Sequence, residues 1–330
     1  MHKFIDYYES RRKLIEGRIE HLLFNVSSDL LLKQVNLYEM LSYSLKGGKK
    51  LRGVLTLLVC ETLGGDVEKA LDAAVAVELI HNASLIHDDI IDGDEIRRNK
   101  LSFWRKYGIS IAIIVGHYLI SLGLMLFRKY GWKAVEIFNK AWINVVKGGM
   151  ADIIEGKSFN EQIYRIVAKL KTGEFFAVAA VMGAIAAGKT EYEELAYRYG
   201  SVLGLTFQIA DDIVDLTKIV RKQDDPKFSP SIPAFVAWVL GDRKIREIAK
   251  LTLFQKKNLA KIIVKEQVIE KAMERLCDNI RKAVSIANRF PYSPLKDYLI
   301  EYPRIAIMKM LNEAKEQLNG HVKLKILSCL

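Results

Sequence analysis

The segment LIHDDIIDGDEIRR, residues 85–98, ends an apolar run in two adjacent aspartates and a third one further on. On a helix, Asp88 and Asp92 share one face, and Asp89 is turned away from them by about 100°. Carboxylates stacked in this way repel one another, so the spacing predicts a divalent cation beside them. Mg²⁺ is the natural candidate because it prefers oxygen ligands and completes its shell with water and phosphate oxygens. An exposed acidic helix end without a ligand is the alternative for a single copy.

The segment GLTFQIADDIVDL, residues 204–216, repeats this pattern at Asp211, Asp212 and Asp215. An apolar helix again leads to the acids, and unpaired charge is costly in such a setting. Two helices that each carry DDxxD predict opposed carboxylate clusters across one cavity. Such clusters can hold several Mg²⁺ ions around a diphosphate.

The composition favours helices and a single domain. The chain has 330 residues, 50% of them hydrophobic, and only 6 prolines. Alternating strand patterns with hairpin signals are missing, so we predict one all-helical domain over residues 1–330. The net charge of +11 allows binding to nucleic acid, an anionic membrane or a phosphorylated small molecule. No arginine-rich tract or zinc-finger spacing supports the nucleic-acid alternative.

The cysteines and the apolar segments bear on the cellular setting. Three widely spaced cysteines without a CxxC pair predict neither a disulfide framework nor a zinc site, and favour a reducing, cytoplasmic environment. The N-terminal residues mix charges, unlike a secretory signal. Ile111–Phe127 is the longest apolar stretch, at the short limit of a membrane span. We predict a fully buried helix there, with a transmembrane segment as the alternative.

Helical periodicity also predicts element boundaries. Two helices are expected before residue 45, separated near residues 27–29, and a turn at Gly47-Gly48. Asp66 is expected to cap a helix that ends at Gly93. Later helices are expected at 109–130, 132–154, 162–187 and 191–217. Residues 221–233 are expected to form a loop, with a further break around residues 291–303.

Basic residues flank the first acidic motif. Arg97 and Arg98 follow it, and arginine binds phosphate oxygens in a planar, bidentate manner. KGGKKLRG, residues 46–53, combines clustered positive charge with glycines that let a ligand approach the backbone; a solvated basic turn is the alternative. His81 lies two helical turns before Asp88 on the same face and is a candidate binding residue. A structural histidine in the core is the alternative.

A further basic segment is KLKTGEFF, residues 169–176. It places Lys171 and Thr172 at the expected start of a small-residue, apolar helix. A helix N-terminus beside a lysine is a good phosphate site. Ordinary capping by Thr172 is the alternative.

Together these segments resemble the trans-isoprenyl diphosphate synthases, also called polyprenyl synthetases. GGKKLRG, ELIHNASLIHDDIIDGDEIRR, KTGEFF and GLTFQIADDIVDL match that family's motifs in order between Gly47 and Leu216. The resemblance implies an isoprenoid-synthase-type, all-α bundle around a deep central cavity, usually a homodimer. It also implies a Mg²⁺-dependent prenyltransferase that condenses isopentenyl diphosphate with an allylic diphosphate.

The resemblance further implies roles for individual residues. The implied Mg²⁺ ligands are Asp88, Asp92 and Asp211. The implied contacts to the allylic diphosphate are Arg97 and the catalytic residues Lys171, Thr172 and Gln208. The implied contacts to isopentenyl diphosphate are Lys49, Arg52, His81 and Arg98.

Several positions depart from the family pattern. The family commonly has Pro, Gly, Asp and Gln where this chain has Gly53, Asn99, His117 and Met150. The usual Gly-Lys loop after the second acidic motif is replaced by TKIVRKQDDPKFSP, in which the candidate substitutes are Lys218, Arg221 and Lys222. This loop and the Arg52-Gly53 pair are similar to archaeal long-chain members such as hexaprenyl diphosphate synthases.

Residues just before the first motif shape the product cavity in this family. Ala83 and Ser84 are small, and small side chains leave room, so we expect a product longer than C20, roughly C25 to C35. The growing tail would run towards Ile111–Phe127. The alternatives are a geranylgeranyl diphosphate synthase, a class I terpene cyclase or a subunit of a heteromeric synthase. The C-terminal HVKLKILSCL is a candidate for peripheral membrane contact during product release.

Overall fold

The computed structural model describes residues 2–26, 33–155, 160–221, 231–241 and 256–313. These residues are helical apart from loops and one short hairpin, which confirms the all-α fold class. The helices are α1 His2–Val26, α2 Leu37–Leu45, α3 Leu51–Thr62, α4 Val67–Asp92, α5 Phe103–Tyr107, α6 Ile109–Phe127, α7 Trp132–Glu155, α8 Glu161–Val167, α9 Glu174–Ala186, α10 Glu193–Arg221, α11 Ile232–Leu240, α12 Lys256–Lys265, α13 Val268–Ala287 and α14 Lys296–Glu313. A π-helical segment, Ala168–Gly173, joins α8 to α9.

The boundaries of α4 follow the expected signals. The Asp66 side chain accepts a hydrogen bond of 3.0 Å from the amide of Glu68, which satisfies a donor that the first helical turn leaves open. The helix ends at Gly93, whose φ of 65° is a left-handed conformation that glycine adopts easily. The first acidic motif therefore occupies the last turn of α4.

A hairpin that the sequence patterns did not predict follows this helix. Its antiparallel strands are β1 Ile96–Arg97 and β2 Lys100–Leu101. The two turn residues, Arg98 and Asn99, have φ values of 54° and 60°. Positive φ at both central positions is the geometry of a tight hairpin turn, usually signalled by glycine. Asparagine tolerates this conformation, so the turn forms without that signal.

The apolar helix α6 is less buried than expected. Ile109–Tyr130 is long and apolar enough to cross a membrane, yet only 33% of its most apolar window is buried. One face packs on α4, where Gly116 and Gly123 allow close approach. The other face exposes Ile113, Ile114 and Met125. The prediction of a fully buried helix was wrong, because α6 is apolar on all sides and, within the described part of the chain, neighbours cover only part of its circumference.

The chain forms two compact units. The first comprises Met1–Phe138, Val178–Ala196 and Ser293–Leu295, and the second comprises Asn139–Ala177, Tyr197–Tyr292 and Lys296–Leu330. The core of the second unit is built by α8, the π-helical segment and helices α10 to α14, and it contains the aromatic side chains of Tyr164, Phe235 and Trp238. A single domain over residues 1–330 stays a prediction.

The cysteines and the expected chain breaks only partly agree with the sequence-based predictions. Cys60 is a buried free thiol, but Cys277 is disulfide-bonded, so the expectation of no disulfide was wrong there. Pro303 lies inside α14 and not in a break. The break near residues 27–29, most of the loop 221–233 with Lys222, and the segment HVKLKILSCL lie outside the described residues.

Candidate functional site

The first acidic motif separates its three aspartates by exposure. Asp89 is 2% exposed, whereas Asp88 is half-buried and Asp92 is exposed. The carboxyl end of a helix carries partial negative charge and favours cations. Among the described residues, no three His, Cys, Asp or Glu side chains form a metal-binding group. A helix end that offers two carboxylates fits Mg²⁺, which takes one or two of them together with water and phosphate oxygens.

The buried Asp89 holds Arg97. The Arg97 Nε donates to Asp89 Oδ1 at 2.7 Å, and Nη2 also donates to that oxygen. Asp94 lies 3.5 Å from Arg97 Nη2. Burial raises the pKa of Asp89, and the hydrogen bonds from Arg97 oppose that rise. Asp89, which is turned away from Asp88 and Asp92 on the helix, thus orients Arg97, the predicted diphosphate contact.

The glycine loop and the hairpin meet at Arg98. Gly47 and Gly48 have φ values of 80° and 81°, which confirms the predicted turn. A Cβ at Gly48 would lie 2.7 Å from the guanidinium carbon of Arg98, so only glycine allows this contact. The carbonyl of Lys49 accepts a hydrogen bond from the Tyr8 hydroxyl of α1. The structure therefore brings Lys49 and Arg98 into one region.

The buried Arg52 and the half-buried His81 form a pair in the same unit. Arg52 is 8% exposed, and its Nη1 lies 2.9 Å from His81 Nε2. Burial and then the charge of Arg52 hold the pKa of His81 well below its usual range. His81 is therefore neutral at physiological pH and accepts the hydrogen bond from Arg52. The ring fixes the direction in which this arginine points.

Gly53, which stands where the family commonly has proline, has a local explanation. Its amide donates to the Glu78 carboxylate at 2.8 Å, and proline has no such donor. A Cβ at Gly53 would also lie 2.9 Å from side-chain atoms of Glu78 and Ile15. Burial lowers the pKa of the neighbouring Lys50, which the charge of Glu78 partly offsets. Glycine in place of proline at this position therefore provides an amide that donates to the buried carboxylate of Glu78 on α4.

Sequence reasoning missed a brace between α2 and the hairpin. The Tyr43 hydroxyl donates to the carbonyl of Leu101 at 2.7 Å, and Lys100 Nζ donates to the carbonyl of Tyr43. The Lys100 ammonium also lies 4.1 Å from the Tyr43 ring centroid. These reciprocal contacts hold the hairpin that carries Arg97 and Arg98. No local pattern signals them, because the partners lie 57 and 58 residues apart.

In the second unit, Lys171 and Thr172 lie in the π-helical segment and not at a helix N-terminus. The expectation of a helix start at these residues was wrong, because helical structure runs through Glu161–Ala186, close to the helix expected at 162–187. The role of both residues as phosphate contacts stays a prediction. A π-helical turn often marks a functional site. Lys171 Nζ donates to Asp152 Oδ2 at 2.8 Å, and Asp152 is buried. Asp152 was missed, although an acid among apolar residues near the end of α7 was an available signal.

Two glycines pack against this π-helical segment. A Cβ at Gly148 of α7 would lie 2.6 Å from the backbone nitrogen of Lys171. A Cβ at Gly204 of α10 would lie 2.6 Å from the Cα of Gly173. The neighbouring Gly149 has nothing within 4 Å of such a Cβ. The close approach of three elements therefore fixes the backbone at Lys171 and Thr172.

The second acidic motif also buries its middle aspartate, but the exposure of the two outer aspartates is reversed. Asp212 is 1% exposed, Asp211 is exposed and Asp215 is half-buried. Asp212 accepts hydrogen bonds from the Tyr164 hydroxyl at 2.7 Å and from Gln208 Nε2 at 3.2 Å. Burial raises the pKa of Asp212 well above its usual range, and the Tyr164 hydrogen bond opposes that rise.

Two predicted contacts lie beside these acids on α10. Gln208 Oε1 accepts a hydrogen bond of 2.5 Å from the Thr172 hydroxyl. Lys218, a candidate substitute for the family's Gly-Lys loop, donates to Asp215 at 2.7 Å. Arg221 is the last residue of α10.

The predicted chain-length residues lie on α4 above the first motif. Ala83 is fully buried. Ser84 is half-buried, and its hydroxyl donates to the carbonyl of His81 at 2.8 Å. Both side chains are small, as the sequence indicated.

Comparison with known proteins places the chain in a family. Polyprenyl synthetases match residues 34–271. The geranylfarnesyl diphosphate synthase of Methanosarcina mazei is 38% identical over 191 residues, 57% of this chain and 64% of that protein. The chain thus spans slightly less than two thirds of that relative. The hexaprenyl pyrophosphate synthase of Saccharolobus solfataricus is 32% identical over 222 residues, 67% of this chain and 75% of that protein.

Solved structures agree with this placement. The geranylgeranyl pyrophosphate synthetase from the archaeon Geoglobus acetivorans has 28% sequence identity and a TM-score of 0.77, over 91% of this chain and 99% of that one. The geranylgeranyl pyrophosphate synthetase from Pyrococcus horikoshii has 28% identity and a TM-score of 0.76 over 92% and 97%. The chain belongs to the polyprenyl synthetase family.

Proposed function

We propose that this protein is a Mg²⁺-dependent prenyltransferase that joins isopentenyl diphosphate to an allylic diphosphate and releases a linear trans-polyprenyl diphosphate. The observation that carries the proposal is the pair of apolar helices, α4 and α10, that each present DDxxD with its middle aspartate buried and hydrogen-bonded. In each motif the two outer aspartates are therefore the more exposed ones and are available to bind a cation. The named relatives are synthases of this class.

Diphosphate departure is the step that needs most charge stabilisation. Asp88, Asp92 and Asp211 would hold Mg²⁺, which supplies positive charge to the leaving diphosphate when bound. Lys171 and Arg97 add fixed cationic groups, each held by a buried carboxylate. Pre-oriented charges of this kind stabilise a developing anion without reorganising.

The second substrate would bind to the first unit. Lys49, Arg52 and Arg98 are the cationic groups for its diphosphate, and neutral His81 orients Arg52. The allylic carbon–oxygen bond breaks and the diphosphate leaves with the electron pair. The double bond of isopentenyl diphosphate then attacks the allylic cation and forms a carbon–carbon bond. A proton is lost, and the released diphosphate is its acceptor.

The product is proposed to exceed C20, since the small side chains at Ala83 and Ser84 leave room beside the first motif. Ser84→Phe should shorten the product because an aromatic ring would fill that space. Ser84 is half-buried, so this variant has a better prospect of folding than a change at the fully buried Ala83. An unchanged product ladder in Ser84→Phe would refute the role of this position.

A second copy of the chain is the proposed partner for the exposed face of α6. Ile114 and Met125 are 62% and 68% exposed on a helix with a mean hydropathy of 2.1. Ile114→Lys should convert a dimer into a monomer in light scattering after gel filtration. Phe24→Lys changes an equally exposed apolar residue on α1 and should leave the dimer intact. Flotation of the wild-type protein with lipid vesicles would favour a membrane contact instead.

The deciding experiment is a product assay. The purified full chain is incubated with Mg²⁺, labelled isopentenyl diphosphate and a series of allylic primers, and the dephosphorylated products are sized by chromatography. A defined ladder reaching roughly C25 to C35 supports the proposal, and Asp88→Asn should lower turnover by about 100-fold or more. Cyclic hydrocarbons would favour a terpene cyclase. The absence of elongation with every primer would favour a subunit that requires a partner.

A further inference from the structure

A chain of side-chain hydrogen bonds runs from the π-helical segment into the core of the second unit. The Thr172 hydroxyl donates to Gln208 Oε1 at 2.5 Å. Gln208 Nε2 donates to Asp212 Oδ1 at 3.2 Å. The Tyr164 hydroxyl donates to the other oxygen of Asp212 at 2.7 Å. Each member uses a different atom for each partner, so the position of Thr172 depends on all three other side chains.

The far end of this chain is fixed by packing. Tyr164 is 1% exposed, and its ring centroid lies 4.9 Å from that of Phe235 and 5.0 Å from that of Trp238. A phenylalanine would fill the same aromatic space. The hydroxyl is therefore not explained by packing, and its bond to Asp212 is the contact that distinguishes tyrosine from phenylalanine here.

The near end of the chain needs such support. Thr172 lies in a π-helical turn, a conformation that is rare and poorly stabilised by its own backbone. The neighbouring Lys171 is held by Asp152. The Thr172 side chain is held in the same way by its hydrogen bond to Gln208. A residue that supports a binding side chain through another typically changes affinity or activity 10–100-fold when it is altered, as at metal sites.

We infer that Tyr164 is a positioning residue that acts through Asp212 and Gln208 to hold Thr172 where it contacts the allylic diphosphate. This inference rests on the proposed function, because it assumes that Thr172 binds that substrate. It assigns a role to the middle aspartate of the second motif, which anchors the hydrogen-bond chain and leaves cation binding to its neighbours.

The first test compares Tyr164→Phe with Tyr199→Phe. Tyr199 is a matched control because it is fully buried in the same unit and its hydroxyl donates to the carbonyl of Leu299 at 2.5 Å. Affinity for farnesyl diphosphate is measured by calorimetry with Mg²⁺ and without isopentenyl diphosphate. We expect about 10-fold weaker binding in Tyr164→Phe and less than about a 2-fold change in Tyr199→Phe. Melting temperatures of both variants report the general effect of a lost buried hydrogen bond.

Equal affinity losses in the two variants, or no loss in Tyr164→Phe, would overturn the inference. The binding measurement also separates it from the proposed function. If the wild type binds farnesyl diphosphate but elongates no primer, the proposed function fails while the ratio between the variants still decides the role of Tyr164. If the wild type binds no farnesyl diphosphate, both fail.

A second test changes Asp212. An asparagine there can accept from Tyr164 through Oδ1 and donate to Gln208 through Nδ2, with the Gln208 amide turned over so that its Nε2 donates to the Thr172 hydroxyl. The chain keeps its geometry, so affinity should stay within about 3-fold of the wild type. Asp212→Ala breaks the chain and should match the 10-fold loss of Tyr164→Phe. An equal loss in Asp212→Asn and Asp212→Ala would show that charge and not positioning matters, against the inference.

Discussion

The two acidic motifs have the same spacing but anchor their middle aspartates differently. Asp89 is paired with a cation, Arg97. Asp212 accepts only from the neutral Tyr164 and Gln208. Burial raises the pKa of both carboxyls, and the hydrogen bonds that oppose the rise come from Arg97 at Asp89 and from Tyr164 and Gln208 at Asp212. The comparison shows that one sequence pattern can be stabilised by an ion pair in one place and by neutral hydrogen bonds in another.

The largest expected effect is from Asp89→Asn. The change leaves the guanidinium of Arg97 facing a neutral amide, and removing one member of a charged hydrogen bond costs about 2 kcal/mol of unfolding free energy. We use the lower part of the range for buried pairs because the Arg97 side chain is 34% exposed and solvent screens it. Urea unfolding measures the loss.

The control for this variant is Asp94→Asn. Asp94 is 40% exposed and lies 3.5 Å from the same Arg97 nitrogen. Its removal should cost less than about 0.5 kcal/mol, as for other exposed pairs. Equal losses in the two variants would show that Arg97 has no preferred partner, and the contrast with Asp212 would disappear.

The next largest effect tests whether close packing against α7 fixes the π-helical segment. Gly148→Ala places a methyl group 2.6 Å from the backbone nitrogen of Lys171, and such overpacking costs about 1–3 kcal/mol. Gly149→Ala meets nothing within 4 Å and should stabilise the helix by about 0.5 kcal/mol. Thermal unfolding of the pair distinguishes close packing from helix propensity. Similar stabilisation in both would mean that α7 and the π-helical segment move apart easily.

A half-buried histidine, His81, gives a smaller and pH-dependent effect. Its pKa lies well below 6.5 in the folded chain, so the unfolded chain binds more protons between that value and 6.5. Stability from His81 is therefore full above about pH 6.5 and falls as the pH drops towards the folded pKa, by up to about 1.4 kcal/mol per pH unit. His81→Gln keeps an acceptor for Arg52. The variant should lose less stability than the wild type between pH 7.5 and 5.5 in thermal unfolding, and parallel curves would contradict this.

Much of this arrangement could be predicted from the sequence. The apolar approach to each DDxxD, the Asp66 cap and the Gly93 end gave the helices that carry the acids. The family motifs identified the cationic residues near them. What could not be predicted depends on contacts between distant segments. The bonds of Tyr43 to the hairpin and of Tyr164 to Asp212 join residues 58 and 48 positions apart, and no local periodicity encodes such pairs.

The π-helical segment and the exposed face of α6 were mispredicted for related reasons. KLKTG was interpreted as a helix start because a small-residue, apolar segment follows it, yet Gly148 and Gly204 pack against that backbone within continuous helical structure. Ile111–Phe127 was interpreted as buried because it is apolar, but hydropathy does not show how many neighbours a helix has. In both cases tertiary packing decided between conformations that the local sequence allowed.

The smallest expected effect, Asp212→Asn, tests the comparison between the motifs most directly. A buried carboxylate with only neutral partners gains little from its charge, and replacing it with an amide of the same shape is often neutral or stabilising. We expect the unfolding free energy to be unchanged or to rise by up to about 0.5 kcal/mol, opposite in sign to Asp89→Asn. Because the folded pKa of Asp212 is raised, its contribution to stability is full at low pH and lost as the pH rises through that pKa. The advantage of the variant over the wild type should therefore grow in urea unfolding as the pH rises from the unfolded pKa, about 3.9, towards the folded pKa. A destabilisation as large as that of Asp89→Asn would mean that Asp212 is held as a charge, and that the two motifs are anchored in the same way.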